Sequence, residues 1–204
     1  MNGTVADVPF LQAPGFIKAV SKGHFSDVSN FINGDFVLKV RSSTDDYTGF
    51  RVTFSADGLS SDYACGSGST LPFSGGCFKA NFKVPAGNDF TEVRVPFNTF
   101  SDHWSPATGD QTKTCAQHPE VCPTAKDLRG IKRIELWAEG VKSDIHLEVK
   151  AISAGSRVSS SERATILDES DLKIVTFDGA SETTHKFHKQ IDPVMVILQF
   201  FKKQ

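Results

Sequence analysis

The feature that most constrains this chain is a hydrophobic period of two, repeated in six segments. In Phe36-Val37-Leu38-Lys39-Val40-Arg41, the residues Phe36, Leu38 and Val40 share one face, with Lys39 and Arg41 opposite. Phe50, Val52 and Phe54 alternate with Arg51, Thr53 and Ser55. Phe78, Ala80, Phe82 and Val84 alternate with Lys79, Asn81 and Lys83. The same holds for Val93, Val95 and Phe97, for Ile134 and Leu136, and for Ile145, Leu147, Val149 and Ala151. A strand places successive side chains on opposite faces, so each segment reads as an antiparallel strand with one apolar and one mostly polar face. Turn residues separate them, at 42–46, 85–89 and 140–144. No stretch of helical length carries a 3.6-residue period. Asp27 to Ile32 and Thr124 to Leu128 are expected as short turns, with Asp27 or Thr124 as the N-cap. The expected class is all-β, a sandwich or jelly roll with two sheets packed on their apolar faces.

Composition supports a core and narrows the function classes. Phe occurs 17 times against two Trp and two Tyr. Phe has no polar handle, so most of these rings are expected inside. The formal charge is −2, which disfavours a strongly basic nucleic-acid binder. The longest apolar run, Val194 to Phe201, is short and contains Gln199, so no membrane span is expected. The chain does not open with a basic stretch followed by an apolar one, so no signal peptide is read in it.

Two long loops and a linker interrupt the strands. Ser55 to Gly76 and Ser101 to Arg129 exceed the usual connection length, and each belongs with one pair of cysteines. Cys65 and Cys77 are 12 positions apart, and Cys115 and Cys122 are 7 apart. Local disulfides, Cys65–Cys77 and Cys115–Cys122, are the favoured arrangement, with free structural thiols as the alternative. Zinc ligands usually come as cysteine pairs two to four residues apart, which neither pair is, so no metal is expected even with His118 nearby. Disulfides would place the chain in an oxidising compartment. Gly155 to Asp171, with Ser156, Ser159, Ser160 and Ser161, reads as a linker. A strand-like run, Leu172 to Gly179, follows it.

Catalytic signatures are scarce. The chain has no Gly-x-Ser-x-Gly elbow, no phosphate loop and no His-Glu-x-x-His. His103 beside Asp102 is the best acid–base candidate, though a solvated loop histidine is the commoner reading. The charged strand faces read as solvated and mixed. Trp104, Trp137 and His103 are the candidate contact surface, because a Trp among charges often marks an interface. No catalytic residue and no cofactor is assigned.

The run from Asp35 to Ser153 resembles the complex I intermediate-associated protein 30 (CIA30) family. The residues that carry the resemblance are Phe36 to Ser43 and Tyr47-Thr48-Gly49-Phe50-Arg51, then Cys77 to Phe82 and Val84 to Gly87. Phe90 to Phe97 with Phe100 follow, then Asp127 to Leu136 and Ile145 to Ile152. The resemblance implies a galactose-binding-like jelly roll without a defined catalytic residue. It also implies a chaperone-like assembly role with a protein partner, which is mitochondrial for the founding members. The cysteine-bearing loops look like those of an algal or protist branch. The family's opening strands are not found before Asp35. Val175 to Gly179 and Phe187 to Met195 resemble them instead. The expected organisation is a sandwich domain over 1–154, a Ser-rich linker over 155–171, and a segment over 172–204. That last segment is either the start of a second repeat or a strand that docks back and completes the first. A carbohydrate-binding module on the same architecture is the alternative, with Trp104, Trp137, Tyr47 and Tyr63 as its candidate stacking rings.

Overall fold

The computed structural model describes residues 1–9, 13–56, 77–105, 109–157, 171–177 and 185–191. It contains β1 (Asn2–Val5), β2 (Asp7–Val8), β3 (Ala13–Pro14), β4 (Phe16–Lys22), β5 (Asp35–Ser42), β6 (Phe50–Ser55), β7 (Cys77–Asn81), β8 (Thr91–Pro96), β9 (Arg133–Glu139), β10 (Ser143–Gly155), β11 (Leu172–Thr176) and β12 (His188–Ile191). All strand pairs are antiparallel. The first sheet runs β8-β5-β10, and the far edge of β10 is shared by β1 at 143–146 and β11 at 151–154. The second sheet runs β12-β4-β9-β6-β7. β2 and β3 form a separate two-stranded ribbon.

The six alternating segments supply β5 to β10, and their apolar faces meet between the two sheets. Phe36, Leu38 and Val40 from the first sheet and Phe50, Val52 and Phe54 from the second are each fully buried. The rings of Phe36 and Phe54 stack across the gap at 6.2 Å, and Phe97 and Phe100 pack on both. The architecture is all-β, two packed antiparallel sheets around a Phe-rich core. The 77–84 segment keeps strand pairing only to Asn81, although Phe82 and Val84 stay buried.

The N-terminal strands add what the alternation does not show. β4 lies inside the second sheet, with β9 on one side and β12 on the other. The tail also joins the sheets. Residues 172–176 pair with β10, and 188–191 pair with β4.

Asp27 accepts from the backbone N–H of Ser29, and a 3-10 turn follows at Ser29–Phe31. One short α-helix, Ala125–Arg129, is closed at its start by Asp127, whose carboxylate accepts from both the N–H and the hydroxyl of Thr124. Asp127→Ala is expected to lower stability by about 1 kcal/mol, the usual value of such a cap, as read by urea denaturation. Loss of less than a few tenths would mean that packing of buried Leu128 alone holds this turn. No helix among the described residues is long and apolar enough to cross a membrane.

Candidate functional site

The two sheets differ on their outer faces. On the first sheet, Lys39 and Lys150 are exposed and Arg41 is half-buried against Phe90, as expected for a solvated mixed face. The second sheet departs from that expectation. Lys18, Arg51, Thr53, Lys79, Arg133, Glu135 and Glu139 are all buried. Register explains how they meet. Across β4, β9 and β6, Lys18 lies opposite Trp137 and Trp137 opposite Arg51. One row along, Glu135 lies opposite Thr53 and Thr53 opposite Lys79.

The result is a paired polar layer. Glu135 accepts from the Lys18 ammonium at 3.2 Å, from Trp137 Nε1–H at 2.8 Å and from the Thr53 hydroxyl at 3.3 Å, and Arg133 lies 3.3 Å away. Glu139 accepts from Lys79 at 2.8 Å, with Arg51 at 4.0 Å. Lys18 and Lys79 each sit over the Trp137 ring, at 4.5 and 4.4 Å, and Lys79 also faces Trp104 at 5.4 Å. Burial pushes the Lys18 ammonium below its ordinary range, and the Glu135 charge opposes that shift. A desolvated cation over an indole face is held more strongly than an exposed one.

On the β6–β7 side of this layer, Ser101 and Trp104 pack against Lys79 and Arg51. Ser101 exchanges both backbone hydrogen bonds with Lys79, at 2.9 and 3.0 Å. Trp104 turns inward and donates its Nε1–H to the Ser101 carbonyl. The Cys115–Cys122 disulfide closes the far part of the 101–123 segment, as the spacing predicts. The other expected pairing involves Cys65, which lies outside the described residues, and Cys77 is buried.

The proposed contact surface is therefore corrected in two of its three residues. Trp104 and Trp137 are 2% and 3% exposed and serve the interior. Glu135 and Glu139, on either side of Trp137 in sequence, are themselves buried and paired with Lys18 and Lys79. His103 does reach solvent, half-buried, with its ring Nδ1 2.6 Å from Asp102. Of the candidate stacking rings, Tyr47 is buried with its hydroxyl donating to the Val141 carbonyl, and Tyr63 lies outside the described residues. Among the described residues, no three His, Cys, Asp or Glu side chains converge as a metal site.

Among the described residues, a lateral cleft of about 410 Å³ opens where the β7 and β8 ends of the sandwich face each other. Its floor holds Phe82 and Val95, both buried, and Val93 lies half-buried at its lip. Asn81, Lys83, Thr99 and Gln111 form the polar rim. Arg94 also lines it, and its guanidinium holds Glu92 at 2.7 Å, Asp171 at 3.0 Å and the Ser156 carbonyl at 3.1 Å. No sequence signal marks this cleft, because it is made by two strand ends distant in the chain.

The chain matches no protein-family model, no curated protein and no solved structure.

Proposed function

We propose that this chain is a non-catalytic, protein-binding module of the CIA30 type, a galactose-binding-like jelly roll that contributes to assembly of a larger complex. The residue resemblance over 35–153 motivates the family. The observation that carries protein binding is the lateral cleft, with an apolar floor and a polar rim beside the edge strand β8. Extended segments of partner proteins bind such edges by backbone pairing, while pockets beside them take alternate side chains. Sugar binding wants exposed, coplanar aromatic rings, and Trp104, Trp137 and Tyr47 are buried in other roles. The His103 ring is hydrogen-bonded to Asp102, and the Ser101 hydroxyl accepts from the His103 backbone N–H and not from the ring, so the pair gives no ground for an enzyme reading.

The test is affinity purification from the native cell with the wild-type chain and two cleft-filling variants, Asn81→Trp and Thr99→Trp. Both positions are exposed, so melting temperatures should stay within a few degrees of wild type. A protein partner retained by wild type and reduced at least tenfold by both variants supports the reading. Equal retention by all three would remove the cleft from consideration.

A further inference from the structure

We propose that the Cys115–Cys122 bridge is an exchangeable redox couple, opened at Cys122 by a small outside thiol and closed again without unfolding of the sandwich. The two cysteines differ in access. Cys115 is 7% exposed, whereas Cys122 is half-buried and reaches solvent. An attacking thiolate must reach the sulfur that it attacks, so access selects Cys122. The interior is fitted to receive the other sulfur as a thiol. Cys115 Sγ lies 2.8 Å from the carbonyl oxygen of Phe100, a fully buried residue. A bridged sulfur carries no proton, so it gives that oxygen no hydrogen bond. Once the bridge opens, the Cys115 S–H donates to it.

The segment also has the means to keep its shape without the bridge. The two cysteines are 7 positions apart, so opening the bridge frees less chain entropy than opening a long loop would. Backbone hydrogen bonds hold the loop independently. The N–H groups of Gln117 and His118 donate to the Thr114 carbonyl, that of Val121 to His118 and that of Cys122 to Pro119. Asp102 N–H donates to the Val121 carbonyl, and Val121 is buried, which anchors the Cys122 end on the body of the sandwich. The two sulfurs therefore stay opposed after reduction, placed to bond again. The chemistry takes two steps. A thiolate attacks Cys122 Sγ, the S–S bond breaks, and the Cys115 sulfur leaves with the electron pair and takes a proton from water. Cys122 now carries a mixed disulfide with the small thiol. A second thiolate attacks the small-molecule sulfur of that mixed disulfide, releases Cys122 as a thiolate, and leaves as the small-molecule disulfide. Two thiols are oxidised and one protein disulfide is reduced. Attack by Cys115 on the mixed disulfide runs the first step backwards and restores the bridge.

The probe is glutathione, with the full chain held in mixtures of its reduced and oxidised forms. The reaction is stopped with acid, free thiols are alkylated in denaturant, and the peptides carrying 115 and 122 are mapped by mass spectrometry. The glutathione adduct should sit on Cys122 in at least about tenfold excess over Cys115. Single variants read the same asymmetry: with oxidised glutathione, Cys115→Ser should take an adduct at Cys122, while Cys122→Ser should leave Cys115 unmodified. The Cys115→Ser/Cys122→Ser double variant should still melt cooperatively, within about 10 °C of wild type. Its amide exchange in β5 and β6 should match wild type, with faster exchange confined to the 101–122 segment. Adducts shared equally between the two cysteines, a bridge that stays closed in reduced glutathione, or a double variant that no longer folds would each overturn the proposal.

Discussion

Replacing Glu135 by alanine is expected to destabilise the fold by about 3–5 kcal/mol, the usual cost of removing one partner from a buried ion pair. Glu135 is completely buried, and so is Lys18. The carboxylate serves Lys18, Trp137 and Thr53 directly, with Arg133 beside it. Its loss leaves a desolvated ammonium and an indole N–H without their acceptor. The double variant Glu135→Leu with Lys18→Met should recover much of the loss, because buried pairs replaced by apolar groups are often neutral. Urea denaturation of wild type, single and double variants reads both effects. A single-variant loss below about 1 kcal/mol would show that the layer is hydrated and loosely paired. The pH dependence follows from the lowered Lys18 pKa. Between the folded and ordinary lysine values the unfolded chain binds more protons, so this group makes stability rise with pH across that window. The rise should be steeper in Glu135→Ala, where the charge that opposes the shift is gone.

The sequence made the six core strands visible because each alternates apolar and polar residues. It hid β4 for a definite reason. Ile17 faces the core, but the other positions on that face are Ala19 and Ser21, while the opposite face carries Phe16, Lys18 and Val20. The apolar period is scrambled because this strand is buried on both sides, against a polar layer on one of them. The same layer explains the misplaced tryptophans. Alternation reports which residues avoid the core between the sheets, and it cannot report whether the opposite face is itself buried. Arg51, Lys79 and Arg133 therefore look like solvent-facing residues in sequence and are interior ones in the fold. The Cys115–Cys122 bridge was legible because its loop closes locally. The cleft was not, because Phe82 and Val95 meet only through the topology.

Truncating the chain after Arg157 is expected to cost about 3–6 kcal/mol, from the lost burial of Ile174 and Val175 at about 1.5–3 kcal/mol each. Both residues are fully buried within β11, which pairs with β10 from Ala151 to Ala154. Several contacts fix where β11 begins. Gly155 leaves no room for a side chain because Asp171 packs against it. Arg94 holds both the Ser156 carbonyl and Asp171, so the two ends of the intervening segment are pinned by one side chain on β8. Ser26 donates to the Lys173 carbonyl. These contacts favour a strand that belongs to the same sandwich over a detached start of another repeat. A loss of that size should lower the melting temperature by roughly 10 °C. It also uncovers the edge of β10 at 151–154, so the truncated chain should aggregate more readily. Point variants separate burial from mere length. Val175→Asp should reproduce most of the loss, since it buries an unpaired charge. Phe177→Ala should change stability by less than about 0.5 kcal/mol, because Phe177 is 51% exposed. A truncated chain that melts with the full-length protein and stays soluble would place the tail outside the folding unit, whatever its pairing.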